Sequence, residues 1–90
     1  MVIIGRRWFD RGPGNTYHSA ELWKDGELVA RVPFIYGYGD QYRETAFKEA
    51  VKLGLYKDNA EDRRKFNFSL ASGGDGNLFT VSDVARKKDL

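Results

Sequence analysis

His18 is the single histidine among 90 residues, and the chain has no cysteine. An imidazole can serve as a general base or a metal ligand near neutral pH. Here it stands alone in a strand-like stretch. No serine lies in a nucleophile-elbow setting, and no two carboxylates fall at catalytic spacing. The residues therefore point away from an enzyme. Asp75-Gly76-Asn77 offers oxygen ligands, but a calcium loop needs further acidic positions and a terminal glutamate, which residues 80–84 do not supply. Turn chemistry accounts for it, and no metal is expected. Gly37-Tyr38-Gly39 precedes a helix pattern, where backbone N–H groups can cradle a phosphate. The third glycine of a dinucleotide loop would fall at Tyr42, there is no P-loop lysine, and Asp40 puts a negative charge where phosphate would sit. No cofactor is expected. The same glycines open like an RNA-recognition motif, but Asp40 and Gln41 break the required apolar strand.

Two binding chemistries remain. Phe34-Ile35-Tyr36-Gly37-Tyr38-Gly39-Asp40-Gln41-Tyr42 concentrates tyrosines where a strand pattern meets a helix pattern. Tyrosine supplies large contact area with few rotors, so Tyr36, Tyr38 and Tyr42 are the candidate partner-binding residues. They can equally cover the helix–sheet junction. Arg6, Arg7, Arg11 and Arg31 lie on or near three strand patterns and are the candidate nucleic-acid contacts.

The elements that must position these residues read as follows. Residues 2–11 form a strand with Val2, Ile4, Arg6 and Trp8 on one face and Ile3, Arg7 and Phe9 on the other. Gly12-Pro13-Gly14-Asn15 is a turn. Residues 16–23 and 27–35 are strands joined at Asp25-Gly26, a strong type I′ hairpin signal. That turn predicts Trp23 opposite Leu28, Glu21 opposite Ala30, Ser19 opposite Val32 and Tyr17 opposite Phe34. Either face of this hairpin could pack on the helix, because neither is clearly polar. Pro33 cannot donate to a ladder, so it belongs at an edge position or near the strand end, which makes 27–35 at least partly an edge. Asp40 is the expected N-cap of a helix over about 41–53, with Tyr42, Ala46, Ala50 and Leu53 on its apolar row. Gly54 and Leu55 complete a C-terminal cap. Residues 59–63 offer one helical turn. Phe66, Phe68 and Leu70 alternate with polar residues and predict a strand over 66–71. That strand should pair with the last one, over 78–84. Residues 86–90 read as a polar tail.

The expected fold is α+β, one domain over residues 1–90. Its antiparallel sheet follows the order β-β-β-α-β-β, with one main helix packed on it. A composition of 41% apolar and 14% aromatic residues is that of a globular chain. Without cysteine there is no disulfide or thiolate metal site. Residues 1–7 lack the apolar core of a signal peptide, and no apolar run approaches the roughly 18 residues of a membrane span. A cytoplasmic location without membrane association is expected. The net charge of +2 is small for a phosphate-binding domain.

Three strands followed by a helix, over residues 2–54, resemble the architecture of AP2-type and integrase N-terminal DNA-binding modules. That implies a sheet laid in the major groove, read by Arg6, Arg7, Arg11 and Arg31. Acidic Asp10, Glu21, Asp25 and Glu27 dilute the field, and the loop over residues 36–39 has no counterpart there. A second resemblance covers most of the chain. Gly14-Asn15-Thr16-Tyr17-His18-Ser19, Asp25-Gly26-Glu27-Leu28-Val29, Val32-Pro33-Phe34, Tyr36-Gly37-Tyr38-Gly39-Asp40-Gln41-Tyr42 and the terminal Val81-Ser82-Asp83-Val84-Ala85-Arg86-Lys87-Lys88-Asp89-Leu90 are similar to segments of small proteins carried by bacteriophages and related elements. The resemblance implies a short accessory protein that binds a host protein, a nucleoprotein or an antiviral-defence complex. It implies no activity that transfers to particular residues.

Overall fold

A computed structural model describes residues 1–68 and 76–90. The elements are β1 (Val2–Asp10), β2 (Asn15–Lys24), β3 (Glu27–Tyr36), α1 (Gln41–Lys52), α2 (Ala60–Asn67) and β4 (Leu78–Val84), then a 3-10 turn at Lys87–Asp89. The class is α+β, and the strands form one sheet in the order β3-β2-β1-β4. β1 and β3 each run antiparallel to β2. β4 runs parallel to β1, so the sheet is mixed and not the purely antiparallel one expected.

The strand expected over 66–71 is the source of that difference. Residues 60–67 are α2, and residues 69–71 lie outside the described residues. The Asn59 side chain accepts from the Asp62 N–H at 2.7 Å, with Glu61 and Asp62 in the first turn and Arg64 and Lys65 in the last. Cap and charges both favour a helix there. Phe66 alternates with Phe68 for too few residues to compete, and as part of the helix it is fully buried. With helices between β3 and β4, the last strand arrives by a crossover and lies parallel to β3 and β1.

The hairpin at Asp25-Gly26 forms as expected, with φ of 52° and 79° at its two central residues. Trp23 faces Leu28, but the register shifts beyond it, so that Leu22 faces Ala30 and Ala20 faces Val32. This bulge answers which face is inner. Ala30 turns to the side of Ala20 and Leu22, while Tyr17, Glu21 and Trp23 stay on the other. The core is Ile3, Ala20, Leu22, Tyr42, Ala46, Phe47, Ala50 and Phe66. Phe66 meets Phe47, Tyr56 and Phe79 edge-on at centroid separations of 5.3 to 5.6 Å. The favourable edge-to-face geometry compensates for a small apolar inventory.

α1 ends as its sequence requires. Gly54 has φ 77°, Leu55 N–H donates to Ala50 O and Gly54 N–H to Val51 O, the double bond of a Schellman cap. Its start differs from expectation. Asp40 occupies the N-cap position but its carboxylate makes no capping bond; the first turn closes through Arg43 N–H to Asp40 O. Leu53, expected on the apolar row, is 44% exposed because the helix has ended.

Candidate functional site

The tyrosines do not act together. Tyr42, expected at a partner surface, is only 2% exposed. It lies on the inner row of α1 and lies against Gly5, where an added Cβ would come within 2.5 Å of the ring. Tyr42 is therefore a core residue, and it cannot offer its ring to a partner. Tyr36 and Tyr38 are 62% and 67% exposed.

The loop that carries Tyr38 is pinned from several sides. Gly37 N–H donates to Thr16 O at 3.0 Å. His18 is buried, its Nδ1 is 3.1 Å from Gly37 O and its Nε2 is 2.6 Å from Thr45 Oγ1. A carbonyl can only accept, so Nδ1 carries the proton and Nε2 accepts from the threonine hydroxyl. Burial holds the His18 pKa below the usual range, although the bond to Gly37 opposes this. The neutral ring thus clamps β2 to the loop and to α1. Arg7 reaches the same loop from β1, with Nη1 3.3 Å from Gly39 O, while its Nε holds Asp83 of β4 at 2.8 Å. Gly39, at φ 61°, makes the last bend before the helix.

Beside this loop an aromatic ladder crosses the sheet on the side away from the helices. Trp8 and Tyr17 are stacked with centroids 5.9 Å apart, and Tyr17 and Phe34 with centroids 4.5 Å apart. Tyr36 meets Tyr17 edge-on at 5.7 Å. Lys87 Nζ stands 4.8 Å from the centre of the Phe34 ring. The faces of Tyr17 and Phe34 are thereby occupied by one another, and base stacking on the ladder's middle is blocked. Phe9, 54% exposed, shares a notch with Thr16, Tyr38 and Gly39. Phe9 and Tyr38 thus meet at this notch, whereas Phe34 and Tyr36 both rest on Tyr17 in the ladder on the opposite face.

The candidate nucleic-acid arginines are divided. Arg6 and Arg31 share a face, but both are drawn to Glu21, at 3.0 and 3.6 Å. Burial pushes the Glu21 carboxyl up; the Trp23 indole N–H at 3.0 Å and the two guanidinium groups outweigh it and hold the pKa below the usual range. Arg7 lies on the helix side of the sheet. Arg11 is exposed in the turn after β1 and has no carboxylate partner among the described residues.

Among the described residues no group of three potential ligands could hold a metal, and no helix is long and apolar enough to cross a membrane. Asp75 lies outside the described residues. Asn77 serves the fold: its Nδ2 donates to Phe66 O at 2.8 Å and its Oδ1 accepts from the Met1 amino group at 3.0 Å.

Sequence reasoning missed Phe9, Tyr17 and Lys87. The hairpin reading already set Tyr17 opposite Phe34, and the register of the short turn after β1, which puts Trp8 opposite Tyr17, would have added the third ladder ring. Nothing in the polar tail signals Lys87. No protein-family model matches the chain, and no curated protein or solved structure is significantly similar to it.

Proposed function

We propose that this chain is a non-enzymatic binding protein of the phage accessory type. It docks stoichiometrically on a host protein or on an antiviral-defence nucleoprotein complex in the cytoplasm. The observation that carries this reading is the exposure of Tyr36, the last residue of β3, and of Tyr38 in the loop that follows, whose backbone is clamped by Thr16, His18 and Arg7. Exposed aromatics on a fixed backbone lose little entropy on binding, which favours a hot spot. Phe9 borders Tyr38, and Phe34 shares the Tyr17 ring with Tyr36.

The test is affinity capture from host lysate with the native chain, Tyr36→Ala and Tyr38→Ala, each checked for native thermal unfolding. A hot-spot tyrosine contributes about 2 kcal/mol, so each variant should retain the partner roughly thirtyfold less well. Equal retention by all three folded proteins would overturn the assignment of the loop.

A sheet reading duplex DNA is the alternative. Most of its arginines argue against it: Glu21 engages both Arg6 and Arg31 and cancels one of their two charges, Arg7 faces the helices, and Arg11 alone stands exposed without a carboxylate partner among the described residues. No duplex binding is expected in a low-salt fluorescence titration. Tight binding that weakens steeply with salt would reverse the order of the two readings.

A further inference from the structure

The face of the sheet turned away from the helices carries something besides the ladder. After β4 the chain folds back across it. Leu90 is 8% exposed, although the four residues before it are all exposed. Arg31 Nη2 donates to Leu90 O at 2.6 Å, and Lys87 lies over Phe34. The segment between them is a tight turn closed by Asp89 N–H to Arg86 O and Leu90 N–H to Lys87 O. Its contacts are thus an ammonium on an aromatic ring, a buried leucine, and a backbone oxygen on a guanidinium.

We infer that this face is a peptide-binding site, occupied here in cis, for a segment of the pattern Lys-x-x-Leu folded in a tight turn, and that a partner protein bearing this pattern displaces the chain's own tail. The seat is built by the sheet. Glu21 receives Arg6 and draws the Nε edge of Arg31, which leaves Nη2 for the peptide oxygen. Phe34, backed by Tyr17, fixes the ring that receives the ammonium. Between these two seats, on the neighbouring strand, lies Ser19. Its hydroxyl is buried and has no hydrogen-bond partner among the described residues. The native tail leaves that group unanswered. A partner segment that presents a polar atom to it gains an interaction the tail lacks, and so has a means of displacing it.

The tether is short, so the tail's effective concentration is on the order of millimolar. A tail seated in about nine molecules of ten then corresponds to a Kd near 0.1 mM for the same segment in trans. The probe is the synthetic peptide Ala-Arg-Lys-Lys-Asp-Leu, matching residues 85–90, titrated into the isotope-labelled full chain. The readouts are the Trp23 indole and Arg31 side-chain resonances. Leu90→Ser empties the seat, and the peptide should then bind with about that Kd and restore the native resonance positions. The native chain should bind roughly tenfold more weakly, and Arg31→Ala in the Leu90→Ser background should abolish binding. Lys87→Ser is a second way to loosen the tail, at an exposed position outside the core. Core resonances of Tyr42 and Ala46 report that each variant is folded. The proposal is overturned if the peptide leaves both loosened variants unchanged at about ten times the expected Kd, or if native and loosened chains bind it equally. Neither Tyr36 nor Tyr38 enters this experiment, so its outcome is independent of the capture test.

Discussion

Tyr38 and Tyr42 are close in sequence and serve opposite ends. The helical row Tyr42, Ala46, Ala50 carried the sign that Tyr42 points inward; its place in a tyrosine-rich string pulled the other way, and the helical phase decides. Because Tyr42 fills the space above Gly5, Gly5→Ala should cost about 2–3 kcal/mol and Tyr42→Ala about 3–5 kcal/mol in urea denaturation. Tyr36→Ala and Tyr38→Ala should stay within about 0.5 kcal/mol. Ser19→Ala removes a buried hydroxyl that has no hydrogen-bond partner among the described residues, so it should be neutral or stabilising by up to about 1 kcal/mol. His18 gives the chain a pH dependence. Its pKa is lowered in the folded state, so below about pH 6.5 the unfolded chain takes up a proton that the folded chain refuses. Stability should be level above that pH and fall as pH drops toward the folded-state value. His18→Gln should flatten the slope in denaturation curves recorded across that window. The sequence marked His18 as the lone imidazole; only the fold brings Gly37 and Thr45 to its two nitrogens.

The elements were legible where a local rule was strong. Asp25-Gly26 set the hairpin, and Gly54-Leu55 ended α1. They were not legible where two local rules competed. Around Phe66 a short alternation opposed a cap and a charge gradient, and the cap prevailed. Asn59→Ala should therefore cost about 1 kcal/mol in thermal or urea unfolding, with the loss confined to the stability of α2. A chain with a strand there would show no such loss. The hairpin's inner face was illegible for another reason. A bulge at Val29 leaves no mark in composition, yet it transfers Ala30 and Val32 from the Trp23 side to the Leu22 side. Glu21 then sits away from the core, where Arg6 and Arg31 reach it. Its depressed pKa adds stability that is present above the ordinary glutamate range and is lost as pH falls through the folded value.

For the molecule as a whole, the neighbour of β4 depends on what precedes it. A strand over 66–71 would have offered an antiparallel partner; α2 makes the connection a crossover and sends β4 to β1. The sheet is then widest in its protection at the middle. β1 and β2 have strands on both sides, while β3 and β4 are edges. In native-state hydrogen exchange the amides of β1 and β2 should be the slowest, and those near the exposed Phe34, Ile35 and Tyr36 of β3 the fastest in the sheet. The candidate surface thus rests on the part of the sheet with least cooperative support. The clamps from Thr16, His18 and Arg7 keep it in place.

The pairing of β1 with β4 also bears on how the chain is made. Arg7 and Asp83 are separated by 76 positions. A ribosome releases the β1–β2–β3 meander and α1 well before β4 emerges. Throughout that interval β1 is a bare edge, with Ile4 and Trp8 beside unpaired backbone groups. A nascent edge of this kind invites pairing with other chains. Slow translation or an early stop before residue 78 would lengthen the exposure, so the last strand acts as the cover that ends the chain's most adhesive stage.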